Sequence, residues 1–174
     1  MKRPPHLGLP TAAMREFVSD TGPLISFERI PDGFGLLRRI ARGIVVPLEV
    51  LEELEAGRGG KGAYLTGQGI EEFVRVMVAP PVLAVSRGLH TGEAAAIALA
   101  LNRGLPLLIE ERKGREIACA LGIDTIGPVG LILAAWQIGR LTTEEAELAF
   151  TALRDGGRIN RSLLEALMAR IRPT

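Results

Sequence analysis

Short apolar runs recur along the chain, and each hands over to a helical pattern. Four of them read as strands: 16–19, 43–46 (GIVV), 106–109 (PLLI) and 123–126 (IDTI). The stretches that follow, 23–30, 47–56, 112–121 and 128–138, read as helices. Strand and helix in alternation predict an α/β fold, a central parallel sheet sandwiched between helices. A further apolar stretch, 73–78 (FVRVMV), fits a strand or a short helix, because period alone does not separate the two over so few residues.

Polar and glycine-rich punctuation fills in the rest. The segment 57–69, GRGGKGAYLTGQG, holds six glycines and predicts a mobile loop. Lys61 within it is followed by glycine, so the spacing of a phosphate-binding Walker loop is missing. Thr142 and Glu145 have capping-box spacing ahead of a helix that runs to about Leu153. Gly156 and Gly157 end it, and Asn160 caps a last helix. There Leu163, Leu164, Leu167, Met168 and Ile171 form an apolar stripe that docks on the sheet or on a second subunit. Residues 1–14 are proline-rich, lack a continuous apolar segment, and read as a flexible tail before a single domain over 15–174.

Composition narrows the function classes. At 174 residues and 47% hydrophobic content the chain can bury a core of its own. Its apolar runs are broken well short of the roughly 20 residues a membrane span needs, which makes the cytoplasm the expected location. A formal charge of +1 gives little global attraction to nucleic acid, so such binding must rest on local patches. The single cysteine, Cys119, excludes an internal disulfide and a cysteine-based zinc cluster. Within REIACALG it reads as a small core residue.

Carboxylates carry the candidate chemistry. Asp20, one of only four Asp among twenty acidic residues, stands where the first strand ends and a Thr-Gly-Pro turn begins. That edge of an α/β sheet is where ligands bind, although Asp also suits a helix N-cap before Pro23. In VVPLEVLEEL, Pro47 opens a helix and places Glu49 and Glu53 on one face, either a solvated acidic face or part of a site. In LHTGEAAAIALALN, Thr91 is the expected N-cap and Glu93 falls in the first turn of a helix apolar on every side. A lone carboxylate at the mouth of a buried helix is costly unless paired. Glu110 repeats the logic of Asp20: strand end, acid, helix start, with Arg112, Lys113 and Arg115 close behind. Those basic residues either neutralise acidic neighbours or grip phosphates. Several carboxylates in one crevice repel unless a cation intervenes, and oxygen ligands without His or Cys select Mg2+ or Mn2+. Such a cluster typically activates water and clamps a phosphodiester.

Taken together, VSDTGPLI, then P-x-x-V-x-x-EL (Pro47, Val50, Glu53, Leu54), then GEAAAIALA, then LLI followed by two acids and R-x-x-R-x-x-A resemble the PIN-domain family of Mg2+/Mn2+-dependent nucleases. The likeness covers about residues 16–165 and is nearest the prokaryotic subgroup related to VapC-like toxins. It implies a parallel sheet between helices and an acidic catalytic pocket of Asp20, Glu53, Glu93 and Glu110. Asp20, Glu93 and Glu110 would hold the metal, and Thr21 would help organise the site. It further implies RNA as substrate, with Thr21, Arg112, Lys113 and Arg115 contacting it and Arg58 and Lys61 on the glycine-rich loop. A homodimer and an antitoxin partner belong to the same expectation. The chain departs from the pattern at Glu110, where aspartate is commoner, and at Ile126 and Pro128, where threonines are frequent. A second reading is a catalytically silent PIN-like module that binds RNA or a partner protein. An aspartic protease is excluded by the alternation of strand and helix, and a haloacid-dehalogenase-like phosphatase by Gly22, where a second acid is required.

Overall fold

The computed structural model describes residues 15–56, 63–81, 86 and 88–172. Five strands form one sheet: β1 (Glu16–Ser19), β2 (Gly43–Pro47), β3 (Val74–Met77), β4 (Leu107–Leu108) and β5 (Thr125–Ile126). All pairings are parallel and the spatial order is β3-β2-β1-β4-β5. The chain therefore winds one way from β1 to β3, then returns to the other side of β1 for β4. That reversal leaves a crevice beyond the carboxyl ends of β1 and β4, the place where open α/β sheets bind ligands.

Alternation along the strands decides which helix covers which face. Phe17, Ile44, Val46 and Leu108 point into the larger core, which is closed by α1 (Thr21–Glu28), α2 (Gly33–Ile40), α7 (Pro128–Gln137), α8 (Thr143–Asp155) and α9 (Arg161–Ile171). Val18, Val45 and Leu107 point the other way, onto α5 (Thr91–Arg103) and α6 (Arg112–Ala120). Both faces are covered, which is why these strands read as unbroken apolar runs. Helix α5 is buried from Gly92 through Ala100, and its alanines let it lie close to the sheet. Helices α3 (Leu48–Ala56) and α4 (Ala63–Gln68) complete the flank beside β2 and β3. Among the described residues no helix is long and apolar enough to cross a membrane.

The architecture matches the sequence expectation, with local corrections. The ambiguous stretch 73–78 is strand β3. Part of the expected loop 57–69 is helix α4, because Tyr64 is buried and its hydroxyl bonds Glu28 at 3.2 Å; residues 57–62, with Arg58 and Lys61, lie outside the described residues. The expected tail, 1–14, also lies outside them. Helix α2 has no counterpart in the expectation: Phe34, Leu36, Leu37 and Ile40 do share a buried face, but the helix is only eight residues long and two of its first three are glycines, which disfavour helix. Pro47 closes β2 instead of opening α3. The N-cap of α5 is His90, with Thr91 its first helical residue. Cys119 is only half-buried, its Sγ 3.3 Å from the Thr125 hydroxyl. At the C-terminus the capping box of Thr142 and Glu145 is complete, and the Asn160 side chain accepts from the Leu163 amide. The stripe on α9 packs inward through Leu167 and Ile171, while Leu163 stays exposed.

Candidate active site

Asp20 follows β1 directly, and its amide donates to the carbonyl of Leu108 on β4 at 3.1 Å, which ties the residue to the crevice between the two strands. It occupies the N-cap position of α1, but its side chain makes no capping hydrogen bond and faces the cleft. Glu110, two residues past β4, faces it from the neighbouring strand end. Glu93 enters from the first turn of α5, and Glu53 from α3. All four line one cleft of about 260 Å³, together with Thr21, His90, Glu111 and Arg158. Five carboxylates thus face one guanidinium.

Their partners differ, and the difference separates their roles. Glu53 is fully engaged: Oε2 accepts the Thr21 hydroxyl at 2.5 Å and Oε1 accepts the Gly92 amide at 2.8 Å. It straps α3 to the starts of α1 and α5, fixing Asp20 and Glu93 through their neighbours. Glu110 is engaged as well. Oε1 accepts the Ser26 hydroxyl at 2.6 Å, and Oε2 is ion-paired with Arg158.

Asp20 and Glu93 are compensated less, and Glu93 only by nearby His90. Burial is the main reason the Asp20 carboxyl is pushed up from 3.8 to about 6, with the Glu53 and Glu110 charges adding to it. The backbone amides of Thr21 and Gly22 work in the opposite direction. Glu93 is only 3% exposed, and neither of its carboxylate oxygens has a hydrogen-bond partner. Burial raises its pKa, and the charges of Asp20 and Glu111 raise it further. Gly114 of α6 makes room for it: a Cβ there would lie 2.1 Å from Glu93 Oε1. Buried polar groups are almost always satisfied, so an orphaned carboxylate beside a second buried acid fits a cation.

The site's own residues fit such an ion in part. Among the described residues no three His, Cys, Asp or Glu side chains are gathered closely enough to cage a metal unaided. Mg2+ seldom requires that, because it usually binds through one or two carboxylates and completes its octahedron with water and substrate phosphate. Asp20 and Glu93 are a donor pair of that kind.

The basic residues expected to contact substrate are dispersed. Arg112 pairs with Glu116 at 2.8 Å, and Lys113 Nζ donates to the Gly88 carbonyl at 3.2 Å; neither lines the cleft. Arg115 donates to the Glu110 carbonyl at 2.6 Å and lines a second, larger groove of about 520 Å³. That groove adjoins the cleft, with Glu110 and Arg158 common to both walls.

Arg158 and His90 in the cleft wall, and Ser26 behind it, are the residues that sequence reasoning missed. Ser26 is fully buried within the apolar run of α1, and a hydroxyl in such a run is a signal that something nearby needs it. Arg158 has a local cause. Gly157 adopts φ +71°, and the amides of Gly157 and Arg158 return to the carbonyls of Arg154 and Leu153, a Schellman ending of α8. The left-handed glycine turns the chain so that the next side chain reaches back to α1.

A family model described as DUF3368, a PIN domain, matches residues 16–172. No curated protein matches the sequence. The five-stranded parallel sheet, the acidic cleft at its switch point and a family match spanning nearly the whole chain agree, and the protein belongs to the PIN-domain family.

Proposed function

We propose that the protein is a Mg2+- or Mn2+-dependent endoribonuclease acting at the cleft beyond β1 and β4. PIN domains are generally nucleases, and they typically use divalent metal ions. The single observation that carries the finer reading is Glu93, buried with both oxygens unpartnered beside Asp20. Two buried acids so little compensated at a sheet's ligand edge cost stability that a purely structural role does not explain.

In this reading Asp20 and Glu93 hold the ion. When bound, the ion supplies Lewis-acid chemistry, making water acidic enough to attack at neutral pH and neutralising charge that develops on the phosphate. The protein's own part is positioning. Glu53, held by Thr21 and the Gly92 amide, fixes the approach of the two ligand-bearing helix starts. Glu110 keeps its place beside them through Ser26 and Arg158. The adjoining groove, with Arg115 at its wall, gives the RNA backbone a path that leads to the cleft. Aromatic residues are 4% of the chain, so contacts to phosphate outweigh base stacking. Arg112 and Lys113, exposed on α6, add to that contact from outside the cleft.

The proposal extends to a toxin paired with an antitoxin protein and to a homodimer. A short neighbouring reading frame encoding a small DNA-binding protein would support the toxin role. The decisive experiment is cleavage of a generic RNA with Mg2+ or Mn2+ by the parent and by Asp20→Asn. Asparagine keeps size but removes the charge, so cleavage should fall by at least 100-fold while circular dichroism is unchanged. Equal rates under saturating metal would remove the cleft from the chemistry and leave a silent module that binds RNA or a protein.

A further inference from the structure

The Arg158 side chain lies where a cation would otherwise be required. Its Nη2 donates to Glu110 Oε2 and, at 3.1 Å, to the Gly22 carbonyl, while its Nε donates to Ser26 Oγ at 2.7 Å. The Ser26 hydroxyl in turn donates a hydrogen bond to Glu110 Oε1. The guanidinium therefore rests on three oxygens: a carboxylate, a backbone carbonyl and a hydroxyl. Two of them come from α1 and one from the segment after β4. Hard oxygens of these types, gathered at one point, are also the donor set of a divalent ion. The Schellman turn fixes the arginine's backbone, so little freedom is lost in holding it there. The pair is about one-quarter exposed on each side, deep enough that a charge left alone would be costly.

We infer that Arg158 takes the place of a second metal ion: it occupies the oxygens of Glu110, Ser26 and Gly22, so the cleft binds one divalent cation through Asp20 and Glu93. This rests on the metal-dependent reading of the cleft. Glu110 is then a positioning residue tied to the arginine and not a ligand. The planar fork of guanidinium donors matches a carboxylate and its neighbouring oxygens in a way a lysine would not. Removing the arginine side chain should leave three oxygens and one unpaired carboxylate, a new cation site in the same wall.

The test counts Mn2+ bound to the metal-free full chain, by electron paramagnetic resonance of the free ion. The parent should bind one Mn2+, and Asp20→Asn should bind none. Glu110→Gln should still bind one Mn2+, weakened only by the loss of a neighbouring charge. Arg158→Ala should bind a second Mn2+, which the double variant Arg158→Ala/Glu110→Gln should lose. Two ions on the parent, one ion on folded Arg158→Ala, or loss of the bound ion in Glu110→Gln would overturn the inference. Should Arg158→Ala fail to fold, Glu110→Gln alone decides, since it keeps the arginine. Normal Mn2+ binding by Asp20→Asn would instead refute the metal reading of the cleft itself, a separate outcome.

Discussion

Replacing Asp20 by asparagine should stabilise the metal-free protein even as it abolishes cleavage. In the native state the Asp20 carboxyl ionises near 6 instead of near 3.8, chiefly because it is buried. Each pH unit of displacement is worth about 1.36 kcal/mol, so ionising this group costs the native state about 3 kcal/mol relative to the unfolded chain. Its pKa is raised on folding, so the native state binds more protons than the unfolded state between pH 3.8 and about 6. Stability is therefore greatest below that window, falls as pH rises through it, and is lowest above it. Asparagine cannot ionise and escapes the loss. It weakens the hydrogen bonds that the Thr21 and Gly22 amides make to the carboxylate, a cost of about 1 kcal/mol.

The net gain at pH 7.5 is about 1–2 kcal/mol, or about 2–8 °C in Tm for a chain of this size. Urea unfolding of both proteins in chelator at pH 4.5, 6 and 7.5 measures it directly. The difference between variant and parent should grow in favour of Asp20→Asn across this series. Saturating Mn2+ should reverse the order, since it stabilises only the protein that binds it. A pH-independent difference, or a variant less stable than the parent at pH 7.5 in chelator, would refute the claim that this carboxylate is held against its preference.

Two further outcomes follow from the packing. Gly114→Ala, a change that ordinarily favours a helix by about 0.8–1 kcal/mol, should here destabilise by about 1–2 kcal/mol and weaken Mn2+ binding. Its methyl would press on Glu93 Oε1 at 2.1 Å and on Ile109 at 2.7 Å; a raised Tm on thermal melting would contradict that geometry. Leu148 on α8 and Leu163 on α9 are exposed, and a homodimer covering them should appear by light scattering at micromolar concentration as twice 18.6 kDa, whereas a purely monomeric species would count against pairing.

The sheet was legible because its strands are buried on both faces and so appear as bare apolar runs between turns. Phe17 and Val18, or Val45 and Val46, serve opposite cores, yet both members of each pair must be apolar. Helix α2 was not legible, since it is short, Gly33 and Gly35 disfavour a helix, and its fold depends on tertiary contacts through Leu37 and Ile40. The four acids were legible as strand-end and helix-start residues. Their partners were not. Glu110 and Arg158 are 48 residues apart, and nothing local in either segment announces the pair.

Charge balance explains why those partners matter. Five carboxylates in a cleft of about 260 Å³ cannot all remain ionised without compensation. Glu53 is held by a hydroxyl and an amide, Glu111 is exposed, and Glu110 has Arg158. What is left is Asp20 and Glu93, adjacent, buried and repelling each other. Burial, more than repulsion, raises both pKa values, and near neutral pH Asp20 carries its charge at that cost. The same neighbours that destabilise the empty pair therefore strengthen its grip on an ion. A structure that merely needed a quiet helix start at Glu93 would gain by placing an alanine there. In the function proposed above, the strain persists where it is useful, at the switch point of the sheet, and the guanidinium beside it would limit how much cation the cleft takes.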